Sequence, residues 1–154
     1  MTQEDKQLLL VDLYGRLPYG VRGRVYAECS NGEYDMNGDM IFFDSPFDVT
    51  LDGINISTEE LHVVAIGNED TIDFIEDQQT WGEPYTVDEF KPYLRPMSSM
   101  TEEEYEELAE IHVNGTLPEC CDFYLKHHLD WRGLIPKGLA LEAPKDMYGK
   151  AEQE

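Results

Sequence analysis

From Val25 to Phe90 the chain carries seventeen Asp or Glu and not one Lys or Arg. Such a stretch cannot neutralise itself through ion pairs to lysine or arginine of its own. Unless cations from elsewhere in the chain meet them, its carboxylates turn to water and the apolar residues between them are hidden. Alternation along a ribbon does this. GVRGRVYAE sets Val21, Gly23, Val25 and Ala27 against Arg22, Arg24, Tyr26 and Glu28, the period of a half-buried strand. Asn37-Gly38 and Asp52-Gly53 are favoured centres of two-residue hairpin turns, because both central positions take positive φ. With Asp52-Gly53 as a tip, Leu51 opposes Ile54 and Val49 opposes Ile56 on one face, while Thr50 opposes Asn55 on the other. The first hairpin pairs Met36 with Asp39 and Tyr34 with Ile41. LHVVAIG, residues 61–67, and TIDFI, residues 71–75, are further strand candidates, the second also readable as part of a short helix.

Helical signals flank this middle. Thr2 with Asp5 makes a capping box, and Leu9, Leu10, Leu13 and Leu17 fall near helical spacing, which predicts a helix from Thr2 to Tyr14. Pro18 and Gly20 stop it. TWGEPYTVDEFKPYLRPMSSM reads as a connector broken by Pro84, Pro92 and Pro96, with one helical turn at Val87 to Phe90. Thr101 with Glu104 makes a second capping box. Tyr105, Leu108, Ala109 and His112 then lie at i, i+3, i+4 and i+7, so that face is expected inward, with Glu103, Glu106, Glu107 and Glu110 facing water. Asn114-Gly115 ends this helix, and Pro118 opens another through His128. The expected architecture is a single α+β domain over residues 1–143 with a frayed tail at 144–154. It has a mostly antiparallel sheet of about five strands, open or closed into a small barrel, between an N-terminal helix and two C-terminal helices.

Charge narrows function more than any motif does. The net charge of −22 is concentrated between balanced ends: residues 97–122 add eight acids and no base, whereas residues 123–154 carry five of each. Nucleic acid and anionic membranes both require cationic side chains, so direct binding to either is not expected. No apolar run approaches the ~20 residues of a spanning helix. The acidic start is unlike a basic secretory leader, so a soluble, cytoplasmic protein is expected. Cys29, Cys120 and Cys121 are an odd set, read as free thiols.

The chemical motifs fail on spacing. Counting from Asp35, DMNGDM puts glycine at position 4 and Pro46 at position 12, where a calcium loop needs glycine at 6 and a bidentate Glu at 12. Cys121 and His128 are separated along a helix by roughly 10 Å, too far for one ion. Neither a metal nor a cofactor is expected. With 33 acids, chance carboxylate pairs carry no weight, and no phosphate loop, HExxH or GxSxG is present. Trp81, Tyr85, Tyr93 and Tyr148 read as core or rim aromatics. Trp131 and Arg132, in LDWRGLIPKG, form an aromatic–cation pair in a non-regular segment, where binding residues often sit.

KPYLRPMSSMTEEEYEEL, DFYLKHHLDWRGLIPKGLALEAPKDMY and LLLVDLYGRLPYGV, about two fifths of the chain, resemble a family of small uncharacterised proteins from gut-bacterial genomes and their phages or mobile elements. The resemblance implies a β-rich middle between a leading helix and two trailing ones, and a phage or mobile-element origin. It implies no activity and carries over no functional residue.

The leading expectation is therefore a non-enzymatic acidic interaction protein binding a basic host protein, one that itself binds nucleic acid being the sharpest case. Its acidic face would use Glu33, Asp35 and Asp39 on the ribbon and Glu103, Glu106, Glu107 and Glu110 on the helix. Alternate strand carboxylates stand roughly 6.6 Å apart and so imitate a row of phosphates. The alternative is a small-ligand binder or hydrolase with a pocket between sheet and C-terminal helices.

Overall fold

A computed structural model describes residues 1–30, 32–81 and 84–148; the side chain of Trp81 lies outside this description. The architecture is α+β, and the chain divides into two compact units: residues 22–90, and residues 1–21 with those from 91 onward.

In the first unit, β1 (Arg22–Cys29), β2 (Phe43–Asn55), β3 (Glu60–Ala65) and β4 (Tyr85–Thr86) pair antiparallel in the order β4-β3-β2-β1. Val25, Ala27, Val49, Leu51, Leu61, Val63 and Ala65 are buried, so the alternation of β1 is met. Asp52-Gly53 is not a turn. β2 runs straight through it, and Asp52 is the extra residue of a bulge, with Leu51 facing Val63 and Gly53 facing His62. The apolar positions 47, 49 and 51 change phase to reach Ile54, and a bulge absorbs that one-residue shift without a reversal. The chain reverses at residues 56–59 instead, where the Asn55 carboxamide accepts from the Ser57 and Thr58 amides and Glu59 takes φ 59°.

Residues 71–75, one of the candidate strands, belong to helix α2 (Glu69–Trp81), and Asn68 caps its start by accepting from the Thr71 amide. Ile75 is buried and Phe74 meets Phe47 at 5.5 Å. Gln79 projects from α2 like one residue of an added strand: it accepts from the Val63 amide at 2.9 Å and donates to the Val63 carbonyl at 2.8 Å. The edge of β3 beyond β4 is thereby satisfied.

β2 outruns β3, which pairs only from Val49 onward. The Ile66 amide donates to the Asp48 carbonyl, so by strand alternation the polar groups of Pro46 and Asp44 face the same side, where β3 has already ended. Pro46 thus stands where a donor would otherwise face outward.

The second unit contains α1 (Gln3–Arg16), β5 (Lys91–Leu94), α3 (Glu102–Asn114), α4 (Leu117–Lys126) and β6 (Leu141–Glu142), with β5 and β6 parallel. Both expected capping boxes are formed, at Thr2 and Thr101. β5 lies in the stretch read as a connector, whose predicted turn is a 3₁₀ turn at Val87–Glu89. Met100, Leu108, Phe123 and Leu129 make a core against which Met97, Ile111 and Tyr124 pack. Gly15 lets α4 approach α1: a Cβ there would lie 2.9 Å from Leu125 Cδ1.

Among the described residues, two ion clusters built on the buried carboxylates of Asp12 and Glu104 pin this unit. Asp12, fully buried, accepts from Arg16 Nε at 2.6 Å and from Arg132 Nε at 3.1 Å, and Arg16 also donates to the Leu129 carbonyl at 2.6 Å. Arg95 grips Glu104 bidentately at 2.8 and 2.6 Å. Tyr148, in the stretch expected to fray, is buried, stacks on His128 at 3.8 Å and donates to the Tyr93 carbonyl; residues 149–154 lie outside the described residues.

Candidate interaction surface

The sequence places three acids in the ribbon before β2, and the structure folds that ribbon as a tight hairpin. Its turn is one residue longer than the Asn37-Gly38 reading required. The Asp35 amide donates to the Asp39 carbonyl, the Gly38 amide to the Asp35 carbonyl, and Gly38 takes φ 84°, a three-residue loop closed by a left-handed glycine. Tyr34 therefore bridges Met40, not Ile41. The Asp35 carboxylate is built into this turn, accepting from the Asn37 amide at 2.8 Å and the Asp39 amide at 3.0 Å. Glu33 and Asp39 are exposed beside it.

What the sequence reading missed is the company these acids keep. Tyr34, Met36, Met40, Ile41, Phe42 and Phe43 are all exposed, Met36 completely and Phe42 by 54%. The signal was present in MIFF, an apolar run too long for a half-wet strand. Large apolar side chains and carboxylates thus share one short projection, with Asp44 at its base. His62 is the single histidine between Val25 and Phe90; its ring nitrogens lie 3.2 Å from Asp52 and 3.4 Å from Glu76.

The four helical acids sit on α3, in the other unit. Glu103, Glu106, Glu107 and Glu110 are exposed, and Glu110 accepts from the Asn114 carboxamide. The inward face of α3 differs from the expected one. Glu104, Leu108 and Ile111 turn to the core, while Tyr105, Ala109 and His112 stay outside, because the Arg95 guanidinium draws Glu104 inward. Burial pushes the Glu104 carboxyl up, but hydrogen bonds from Arg95 and the Thr101 amide outweigh it and hold the carboxyl at about 2. His127 Nδ1 lies 3.1 Å from the same carboxylate and Nε2 lies 3.7 Å from Glu107. Burial lowers the His127 pKa, with Glu104 and Glu107 only partly offsetting it. This histidine has an oriented carboxylate, as a general base would, yet its second nitrogen is buried against Glu107 and out of reach of a substrate.

Neither Trp131 nor Arg132 stands free. The Trp131 ring stacks on Tyr124 at 5.6 Å, and the Arg132 guanidinium lies over the same ring, 4.2 Å from its centre, while bonding Asp12. The pair braces the C-terminal segment against α1 and α4. A cleft of about 330 Å³ beside Trp131 is lined mainly by apolar and thiol groups, among them Ile111, Leu117, Cys121 and Tyr124. A larger hollow of about 480 Å³ is bordered by Arg95 and Ser99, whose polar groups are already engaged with Glu104 and Pro96.

Among the described residues no helix is long and apolar enough to cross a membrane. No family model, curated protein or solved structure matches this chain.

Proposed function

We propose that the chain is a non-enzymatic interaction protein that binds a basic protein through the hairpin of residues 33–44. The observation that supports this reading is the exposure of Tyr34, Met36, Met40, Ile41, Phe42 and Phe43 among Glu33, Asp35, Asp39 and Asp44. Aromatic and methionine side chains supply anchors that gain from leaving water, and Met adapts its shape to the surface it meets. The surrounding carboxylates speed encounter with a positive surface and repel a negative one. A protein that itself grips nucleic acid carries a surface of the required sign, and a phage or mobile-element setting follows from the family resemblance. The acids of α3 would extend the negative field without being the anchor.

The test is retention of host proteins on the immobilised chain across a salt series, followed by direct titration of the protein retained. Wild-type chain is expected to hold a basic protein above about 0.15 M salt, where surface attraction alone is screened over ~8 Å. Phe42→Ser combined with Met36→Ser is expected to weaken that binding about thirtyfold, as loss of a central anchor does. Complete release at about 0.15 M salt, or equal binding by the variant, overturns the proposal.

A further inference from the structure

Helix α3 carries a second apolar strip that the core does not use. Tyr105, Ala109, His112 and Val113 follow at i, i+4, i+7 and i+8, and all are exposed, Val113 by 80%. A surface helix needs one apolar stripe, already supplied here by Leu108 and Ile111. Leu117, opening α4, is 77% exposed and continues the strip. Through His112 and Leu117 it runs into the cleft of about 330 Å³, whose floor includes Ile111, Cys121, Tyr124 and Trp131. One border is acidic, formed by Glu102, Glu106 and Glu110, and Glu119 stands at the first turn of α4.

We propose that this strip and cleft receive an amphipathic helix of a basic partner protein, its apolar side in the cleft and its flanking lysines or arginines beside Glu106 and Glu110. From Tyr105 to Val113 the strip runs roughly 12 Å along α3, and Leu117 and the cleft continue it, enough for two to three turns of a docked helix. Apolar groups at helical spacing fit the i, i+3, i+4, i+7 anchors of such a ligand. A second copy of this chain is the wrong occupant. An isologous contact would bring the acidic border of Glu102, Glu106 and Glu110 on one copy up to the same border on the other, in a molecule already at −22. The surface lies outside the unit that carries the hairpin, so it stands or falls independently of the hairpin reading.

The probe is a labelled fourteen-residue synthetic helix with four leucines on one face and lysine elsewhere, titrated by fluorescence anisotropy into the full chain at about 0.3 M salt to screen exposed charge. A control peptide keeps every lysine and replaces the leucines by serine. Binding of the first peptide, at least about tenfold weaker to Tyr105→Ser and to Val113→Ser and unchanged for Phe42→Ser, supports the proposal. Both serine substitutions are at exposed positions, and unchanged circular dichroism confirms that the fold is kept. Failure of the leucine peptide to bind, equal binding of the control, or indifference to both α3 substitutions overturns it. So does a concentration-dependent dimer in sedimentation that Val113→Ser abolishes, since the strip would then belong to a second copy.

Discussion

Asp12 and Glu104 sit inside their unit, each held by arginine, whereas Glu33, Asp35 and Asp39 stand at the surface beside exposed Tyr, Met and Phe in the other. In the first setting a carboxylate is tolerated because a guanidinium replaces the water it lost. In the second, no lysine or arginine exists within the surrounding sequence, and the carboxylates are exposed, Asp35 accepting from the backbone amides of its own turn. The same residue types therefore hold the fold in one region and stand at the surface in the other, where the proposed association would use them. Substitution should separate the two roles by size of effect.

The largest effect is expected at Asp12. Asp12→Ala leaves the fully buried Arg16 without its counter-charge and also releases Arg132, so urea unfolding should show a loss of about 3–5 kcal/mol. A loss below about 1 kcal/mol would place Asp12 with the dispensable acids.

Acid titration comes next. Glu104 is lowered from 4.5 to about 2 in the folded chain. The unfolded state thus takes up this proton first, and stability present above pH 4.5 is lost as pH falls towards 2. The amount at stake is roughly 3 kcal/mol. His127, also lowered, acts with the same sign and begins to act below its ordinary 6.5, because the unfolded chain again binds the proton more readily. Glu104→Gln should flatten the acid limb of a stability–pH curve; an unchanged limb would remove Glu104 from the clamped class.

The smallest effects distinguish acids within the hairpin itself. Asp35→Ala removes the oxygen that accepts two turn-closing hydrogen bonds and should cost about 1 kcal/mol, whereas Asp39→Ala should stay within about 0.5 kcal/mol by thermal unfolding. Equal values for the pair would mean that Asp35 contributes charge alone.

Local chemistry made the ends of elements readable. Thr2 with Asp5 and Thr101 with Glu104 mark helix starts because a cap depends on residues three apart. The face of α3 was not readable, because Glu104 is drawn inward by Arg95, nine residues earlier, and tertiary pairing overrode the apolar periodicity. Asp52-Gly53 suits a tight turn and a bulge equally well, and only the pairing of Leu51 with Val63 decides between them. Residues 71–75 took helical form once Asn68 capped them. Arg132 looked available because its anchor, Asp12, lies at the far end of the chain. Of the site, the hairpin acids were legible as charge. The exposure of Ile41, Phe42 and Phe43 was not, since it depends on β3 ending at Ala65 and leaving the outer half of β2 uncovered.

That uncovered half brings a hazard with it. An aromatic-rich strand with an open edge is a template on which further copies could stack into fibrils, most of all in acid, where protonation removes the repulsion between chains. Pro46 interrupts the ladder where such stacking would begin, letting the hairpin keep its greasy tip while remaining a poor seed for amyloid growth.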